Sequence, residues 1–281
     1  MQKIDYLILG AGWTSTFLLP LLQSHNKTVI ATSTTGRDST LKFKFDPSDP
    51  SPSAAFATLP NARNILITFP LTGKHQSELL VNTYKATHAR VAHSARFVQL
   101  GSSGIFTFAE QKDLWVTRRS AYDTSNARAV AEDELRGLGG CVLNLSGLWG
   151  GATRDPKNWV DRVATTKEQV RSKMSLHMNH GEDVARAIFA VFEKWSDKDC
   201  VGQRWLLTDG FVYCWWALMA GWAHANGGKD GEPSKQSKWV YELMIEQDIK
   251  ALPRSMEALG RCYDTREFWQ TFGISPVRSR I

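Results

Sequence analysis

Along the first half of the chain, short runs of Val, Ile and Leu alternate with segments of helical length. Runs at 4–9, 28–32, 64–69, 96–100 and 141–145 have the length of buried strands, and the stretches 14–24, 75–92 and 124–138 between them that of helices. This alternation predicts an α/β fold, a Rossmann-type doubly wound parallel sheet covered by helices. Ser48-Asp49-Pro50-Ser51-Pro52-Ser53 predicts a loop, because two prolines in three residues deny the backbone its donors. After residue 150 helix-like segments dominate, and nine of the eleven tryptophans lie from Trp149 onward. A smaller, mostly helical Trp-rich lobe over 148–281, interleaved with the sheet, is therefore expected beside a dinucleotide-binding domain over 1–147. Within the lobe, 226–238 reads as an exposed loop and 239–252 as a helix stopped by Pro253, while Ser255 and Asp264 are suited to cap helices.

With 281 residues, 42% of them hydrophobic, the chain can build a sizeable core. Its 34 basic and 28 acidic side chains are interspersed, so the net charge of +6 forms no basic stripe, and nucleic acid and membrane surfaces are not expected partners. Cys141, Cys200, Cys214 and Cys262 show neither zinc-ligand nor disulfide spacing, which predicts a reduced, cytoplasmic chain without a metal. The apolar stretch from Tyr6 to Leu22 is interrupted by Gly10, Gly12 and Thr14-Ser15-Thr16 and is not followed by a small-residue cleavage site, unlike a signal peptide. The next longest, 211–223, falls short of the roughly 20 residues that span a bilayer.

The most informative segment runs from Ile4 to Ser15, a strand, a glycine turn and a helix start. In a dinucleotide site the first glycine makes the turn, the second admits the pyrophosphate to the backbone, and the third lets helix and strand pack closely. Gly10 and Gly12 fill the first two positions and Ser15 the third. The helix N-terminus beyond them, at Trp13 and Thr14, offers free N–H groups and a positive dipole end. An Asp or Glu that would take the ribose 2′-hydroxyl of NAD is missing from the second strand end, which reads Ala31-Thr32-Ser33-Thr34-Thr35-Gly36-Arg37. Thr32, Ser33 and Arg37 suit a 2′-phosphate instead, so NADP is expected over NAD.

Beyond this motif, the chain over about 4–215 resembles the extended and atypical members of the short-chain dehydrogenase/reductase superfamily related to the NAD-dependent epimerase/dehydratase group. Phe97 to Phe106 resembles the strand that ends in the family's catalytic Ser or Thr, Leu148 to Arg154 its YGpgR segment with Trp for Tyr, and His177 to Ala187 a helix start with Asp183 at the recurrent aspartate. The resemblance implies that Ser102 or Ser103 holds the substrate oxygen, together with a Tyr acid and a Lys four residues later. The chain departs from that engine. Tyr122 is followed at the fourth position by Asn126, and alignment through Ala131-Glu132 puts Thr124 and Arg128 at the Tyr and Lys positions. Either Tyr122 is the acid with Arg128 supplying charge, or the chemistry has moved to groups such as His177 or His180, or hydride transfer is lost and the cofactor pocket kept. Arg128 suits a ribose contact or an ion pair with Glu132 one turn on.

The crowded Trp205, Phe211, Tyr213, Trp215, Trp216 and Trp222 suit core packing or an aromatic substrate pocket. The expected activity is that of an NADP-dependent oxidoreductase on a small apolar or ring-containing carbonyl or alcohol. The alternative is a nucleotide-binding sensor, or an isomerase or cyclase, with a degenerate site. The tail over 253–281 either closes a lid or mediates self-association as a homodimer.

Overall fold

The computed structural model describes residues 3–225 and 231–281. Seven parallel strands, β1 (Ile4–Leu9), β2 (Val29–Ser33), β3 (Leu41–Lys42), β4 (Ala62–Ile67), β5 (Arg96–Ser102), β6 (Cys141–Leu145) and β7 (Arg204–Leu207), form one sheet. Their order is β7-β6-β5-β4-β1-β2-β3, a doubly wound Rossmann-like arrangement. The order reverses between β4 and β1, where Ile8 lies between Leu66 and Ala31, and such a switch point opens a crevice at the carboxyl ends of the strands.

The larger helices are α1 (Ser15–Ser24), α2 (Gln76–Thr87), α3 (Ala127–Gly137), α4 (Gly181–Glu193), α5 (Trp215–Gly221), α6 (Lys235–Glu246) and α7 (Arg266–Phe272). Two layers of them cover the sheet, which is why its strands read as apolar runs rather than alternating ones. Tyr6 and Ile8 pack toward Leu18 of α1, Ile188 of α4 and Phe268 of α7. Leu7 and Leu9 face the other way, toward Leu80 and Tyr84 of α2 and Leu135 of α3. Glu134 of α3 caps α2, its carboxylate accepting the backbone N–H groups of His75 and Glu78.

The second half of the chain thus returns α4, β7 and α7 to the sheet layers. What remains forms a lobe whose core gathers Val160, Trp215, Trp216, Met219 and Leu243. Most of the aromatic cluster is packing: Trp216 is buried with its indole donating to Val170 O at 2.7 Å, and Trp205 is wedged against Phe268 and Phe272 over the sheet. Phe211 is exposed. Of the expected loop over 226–238, residues 226–230 lie outside the described residues, and 235–238 is already helix because Ser234 caps α6 by accepting Ser237 N–H. Accordingly α6 starts and ends earlier than 239–252. Ser255 caps a short helix through Ala258 N–H, and Asp264 accepts Arg266 N–H at the start of α7. No described helix is long and apolar enough to cross a membrane.

Candidate cofactor and substrate cleft

The turn after β1 is tied from both sides. Thr32 at the end of β2 accepts Gly10 N–H at 3.1 Å, and Thr68, just past β4, donates to Gly10 O at 2.6 Å. Gly10 has φ +97°, and a Cβ there would lie 2.6 Å from Thr68 Oγ1, so both conformation and space require glycine. Gly12 differs, since nothing lies within 4 Å of where its Cβ would stand. Its openness is a space that a ligand can fill. The N–H groups of Trp13 and Thr14 find no acceptor among the described residues, and α1 has neither an acidic residue in its first turn nor a side-chain cap. Anion-seeking donors at a helix N-terminus beside an open glycine fit a dinucleotide pyrophosphate. Ser15 is buried behind the turn, its hydroxyl without a partner among the described residues.

Beside the turn lies a cleft of about 330 Å³, where Gly12, Trp13 and Thr14 face Ser102 from the end of β5, Arg128 of α3 and Ser146 just past β6. Ser102 Oγ accepts Gly104 N–H at 3.1 Å, and its own proton has no acceptor among the described residues. Ser103 sits deeper, its hydroxyl 3.3 Å from Ser146 Oγ and its carbonyl accepting the Tyr263 phenol. Arg128 donates to Leu100 O at 3.1 Å, while its Nε is buried without a partner. The ion pair considered for Arg128 and Glu132 does not form. Glu132, fully buried, accepts from Ser102 N–H, Asn144 Nδ2 and Arg204 Nη2, and burial pushes its carboxyl above the usual range.

Tyr122 is not brought together with these groups. Its phenol donates to the Asp133 carboxylate at 2.9 Å and its ring lies under the Arg204 guanidinium, in a separate hollow of about 360 Å³ lined by Arg118 and Arg136. Tyr122 lies in the irregular segment ahead of α3, where its ring also meets Phe106 edge-on. Thr32 and Ser33 are likewise engaged within the protein, Thr32 on the glycine turn and Ser33 accepting the N–H groups of Gly36 and Arg37. Arg37 remains exposed, near Asp38 at 3.6 Å and Ala11 O at 3.4 Å, on the rim of a second hollow of about 680 Å³ that also includes Gly12.

The histidines hold structure. Burial, with Arg261 nearby, lowers the His177 pKa to about 3, and its neutral ring accepts Tyr263 N–H through Nε2. His180 caps α4 by accepting Glu182 N–H, and Asp183 accepts Val277 and Arg278 N–H, tying down the tail. An exposed grouping of His75, Glu78 and Glu134 has metal-ligand chemistry, but Glu134 is already spent on capping α2.

Three polar cleft residues escaped the sequence reading as site candidates: Thr68, Ser146 and Arg154. Thr68 and Ser146 each follow a sheet strand, and residues just past strand carboxyl ends line the crevice of open α/β sheets. Arg154 lies in the segment that resembles YGpgR, yet its stacking on Trp13, 4.4 Å from guanidinium to ring centroid, needs the fold.

No protein-family profile matches the chain, and no curated protein matches it in sequence. Its fold is similar to that of solved structures of reductases and nucleotide-sugar epimerases. Yeast methylglyoxal/isovaleraldehyde reductase Gre2 complexed with NADPH is similar over 97% of this chain and 93% of its own, at 17% identity and a TM-score of 0.58. UDP-N-acetylglucosamine 4-epimerase from Bacillus cereus is similar over 98% and 94%, at 11% identity and 0.62. MoeE5 in complex with UDP-glucuronic acid and NAD matches over the same shares at 13% identity and 0.63.

Proposed function

We propose that the protein is an NADP-dependent oxidoreductase of the atypical short-chain type, acting on a small carbonyl or alcohol in the cleft between the glycine turn and Ser102. The observation that carries this reading is the open face of Gly12, which joins unpaired helix-start donors to a cleft holding Ser102 and Arg128. Gly10, Gly12, Trp13 and Thr14 would hold the pyrophosphate, with Arg37 on the 2′-phosphate. Bound there, the nicotinamide supplies or accepts a hydride. The protein's part is to orient the substrate oxygen: the Ser102 hydroxyl, with its proton unengaged, donates to it, and the positive charge of Arg128 stabilises the oxygen as charge develops. Arg128 cannot itself cycle a proton at neutral pH, so the proton that turns the developing alkoxide into the alcohol, or leaves in the reverse direction, would be exchanged with solvent water entering the cleft.

A second reading, dinucleotide binding without turnover, draws support from Tyr122, whose phenol serves Asp133 rather than the cleft. One experiment separates the two: NADPH and NADH affinity measured by calorimetry, alongside NADPH oxidation with a panel of aldehydes and ketones. Binding with turnover is expected. Binding without turnover on any carbonyl favours the sensor, and absence of dinucleotide binding removes both readings.

A further inference from the structure

The cleft beside the glycine turn has two arginines in its lining, Arg128 and Arg154, and no Asp or Glu among the described residues there. Arg154 is the less occupied of the two. Its guanidinium lies over Trp13, desolvation holds its pKa below the ordinary value, and it has neither a hydrogen-bond acceptor nor a carboxylate partner among the described residues. Trp13 is itself fixed, its indole donating to Gly150 O at 3.0 Å. A partly buried, stacked and unpaired guanidinium is a pre-organised receptor for an anion, because its rotamer freedom and part of its hydration are already lost.

Arg154 also lines a further hollow of about 330 Å³, to which the glycine turn contributes no residue. Trp149 and Trp222 form its aromatic walls, and Lys157 and Arg280 add positive charge beside Asp155, with Ile281 also in the lining. A planar carboxylate has two oxygens to offer, and the guanidinium fork of Arg154 can satisfy both. Apolar or ring-shaped surface beyond it would pack on indole faces.

We infer that the hollow shared through Arg154 is the substrate-side half of the site, and that the substrate is a carboxylate-bearing carbonyl compound with an aromatic or other planar apolar part. The inference rests on the oxidoreductase reading for the word substrate, but carboxylate recognition by Arg154 can be tested apart from it. It adds a carboxylate to the small apolar or ring-containing carbonyl or alcohol expected from the sequence, since an uncharged ligand would leave Arg154 unpaired.

The test is a matched pair of ligands, benzoylformate and its methyl ester, titrated calorimetrically into the full chain held in its NADP⁺ complex so that no reduction occurs. The acid is expected to bind at least about tenfold more tightly than the ester, a difference of roughly 1.4 kcal/mol. Arg154→Gln should abolish that preference while leaving the NADP⁺ dissociation constant within about twofold, and Arg154→Lys, which keeps charge but not the fork, should retain part of it. Equal binding of acid and ester to the parent protein overturns the inference without recourse to any variant. Loss of NADP⁺ affinity in a folded Arg154→Gln protein also overturns it, assigning the arginine to the cofactor. Inorganic phosphate competing as well as benzoylformate would show an unselective anion site and count against it. If the parent binds no dinucleotide, the oxidoreductase reading falls, and the same acid and ester titrated into the protein alone still decide the carboxylate site.

Discussion

Gly10 and Gly12, two positions apart, are needed for different reasons. At Gly10 the backbone is in the left-handed region and Thr68 crowds the missing Cβ, so Gly10→Ala should destabilise the fold by about 1–3 kcal/mol, measurable by urea unfolding. At Gly12 the space is empty, so Gly12→Val should unfold like the parent yet bind NADPH at least about tenfold more weakly. Unchanged NADPH affinity in a folded Gly12→Val protein would remove the pyrophosphate from this turn. A similar contrast separates two adjacent serines. The Ser102 hydroxyl faces the cleft with a free proton, and Ser102→Ala should lower kcat about 10²- to 10³-fold, the loss typical of one donor to a developing oxyanion. Ser103→Ala removes a contact to Ser146 inside the protein and should cost stability rather than turnover. The sequence made the glycine turn legible because a strand, a GxG and a helix start follow one another within a dozen residues. It could not choose between the serines, because what separates them is the direction each hydroxyl takes after β5 ends.

At the scale of elements, all five strands expected from the sequence lie in the sheet, because central strands buried on both faces are continuous apolar runs. Two strands were not legible. β3 is only two residues long, and β7 opens with an arginine that is 3% exposed. Arg204 is tolerated there because α3 presents Glu132 at 3.3 Å and Asp133 at 3.1 Å, partners from about seventy residues earlier that no local pattern reveals. That same network decided the fate of Tyr122, drawing its phenol to Asp133 and its ring under Arg204. Breaking a buried pair leaves a charge uncompensated, so Arg204→Met should destabilise the protein by about 3–5 kcal/mol in urea unfolding. Glu132→Gln keeps an oxygen acceptor for Ser102 N–H and leaves Arg204 with Asp133, and should cost less, about 1–2 kcal/mol. Equal losses in the two variants would mean that shape, not charge, governs the α3–β7 contact.

For the molecule as a whole, the sequence boundary near residue 147 marks a change of texture but not a clean division. The chain leaves the sheet, returns through α4 and β7, leaves again through α5 and α6, and returns with α7. One buried residue, His177, sits where these returns meet. It lies between the short strands Ser175–Leu176 and Met178–His180, accepts Tyr263 N–H at 3.1 Å and stacks on the Tyr263 ring, whose phenol in turn holds Ser103 O. A protonated imidazole has no lone pair left for Tyr263 N–H and would face the positive charge of Arg261. In the unfolded chain the ring titrates near its ordinary value of 6.5, whereas in the fold it resists protonation down to about 3. Between these values the unfolded chain binds the extra proton, so stability is full above pH 6.5 and falls as pH drops, by up to about 1.4 kcal/mol per unit from this group. Asp209 acts with the opposite sign, because burial raises its pKa from 3.8 to about 6 and the folded state takes its proton first in that window. Comparison with a variant cancels Asp209, which both proteins share. His177→Gln, whose amide oxygen can accept Tyr263 N–H, should cost stability at pH 7.5 but lose less than the parent on going to pH 4.5, by about 2–3 kcal/mol. Unfolding free energies of the two proteins at both values check this, and parallel acid dependence would show that His177 is protonated in the fold.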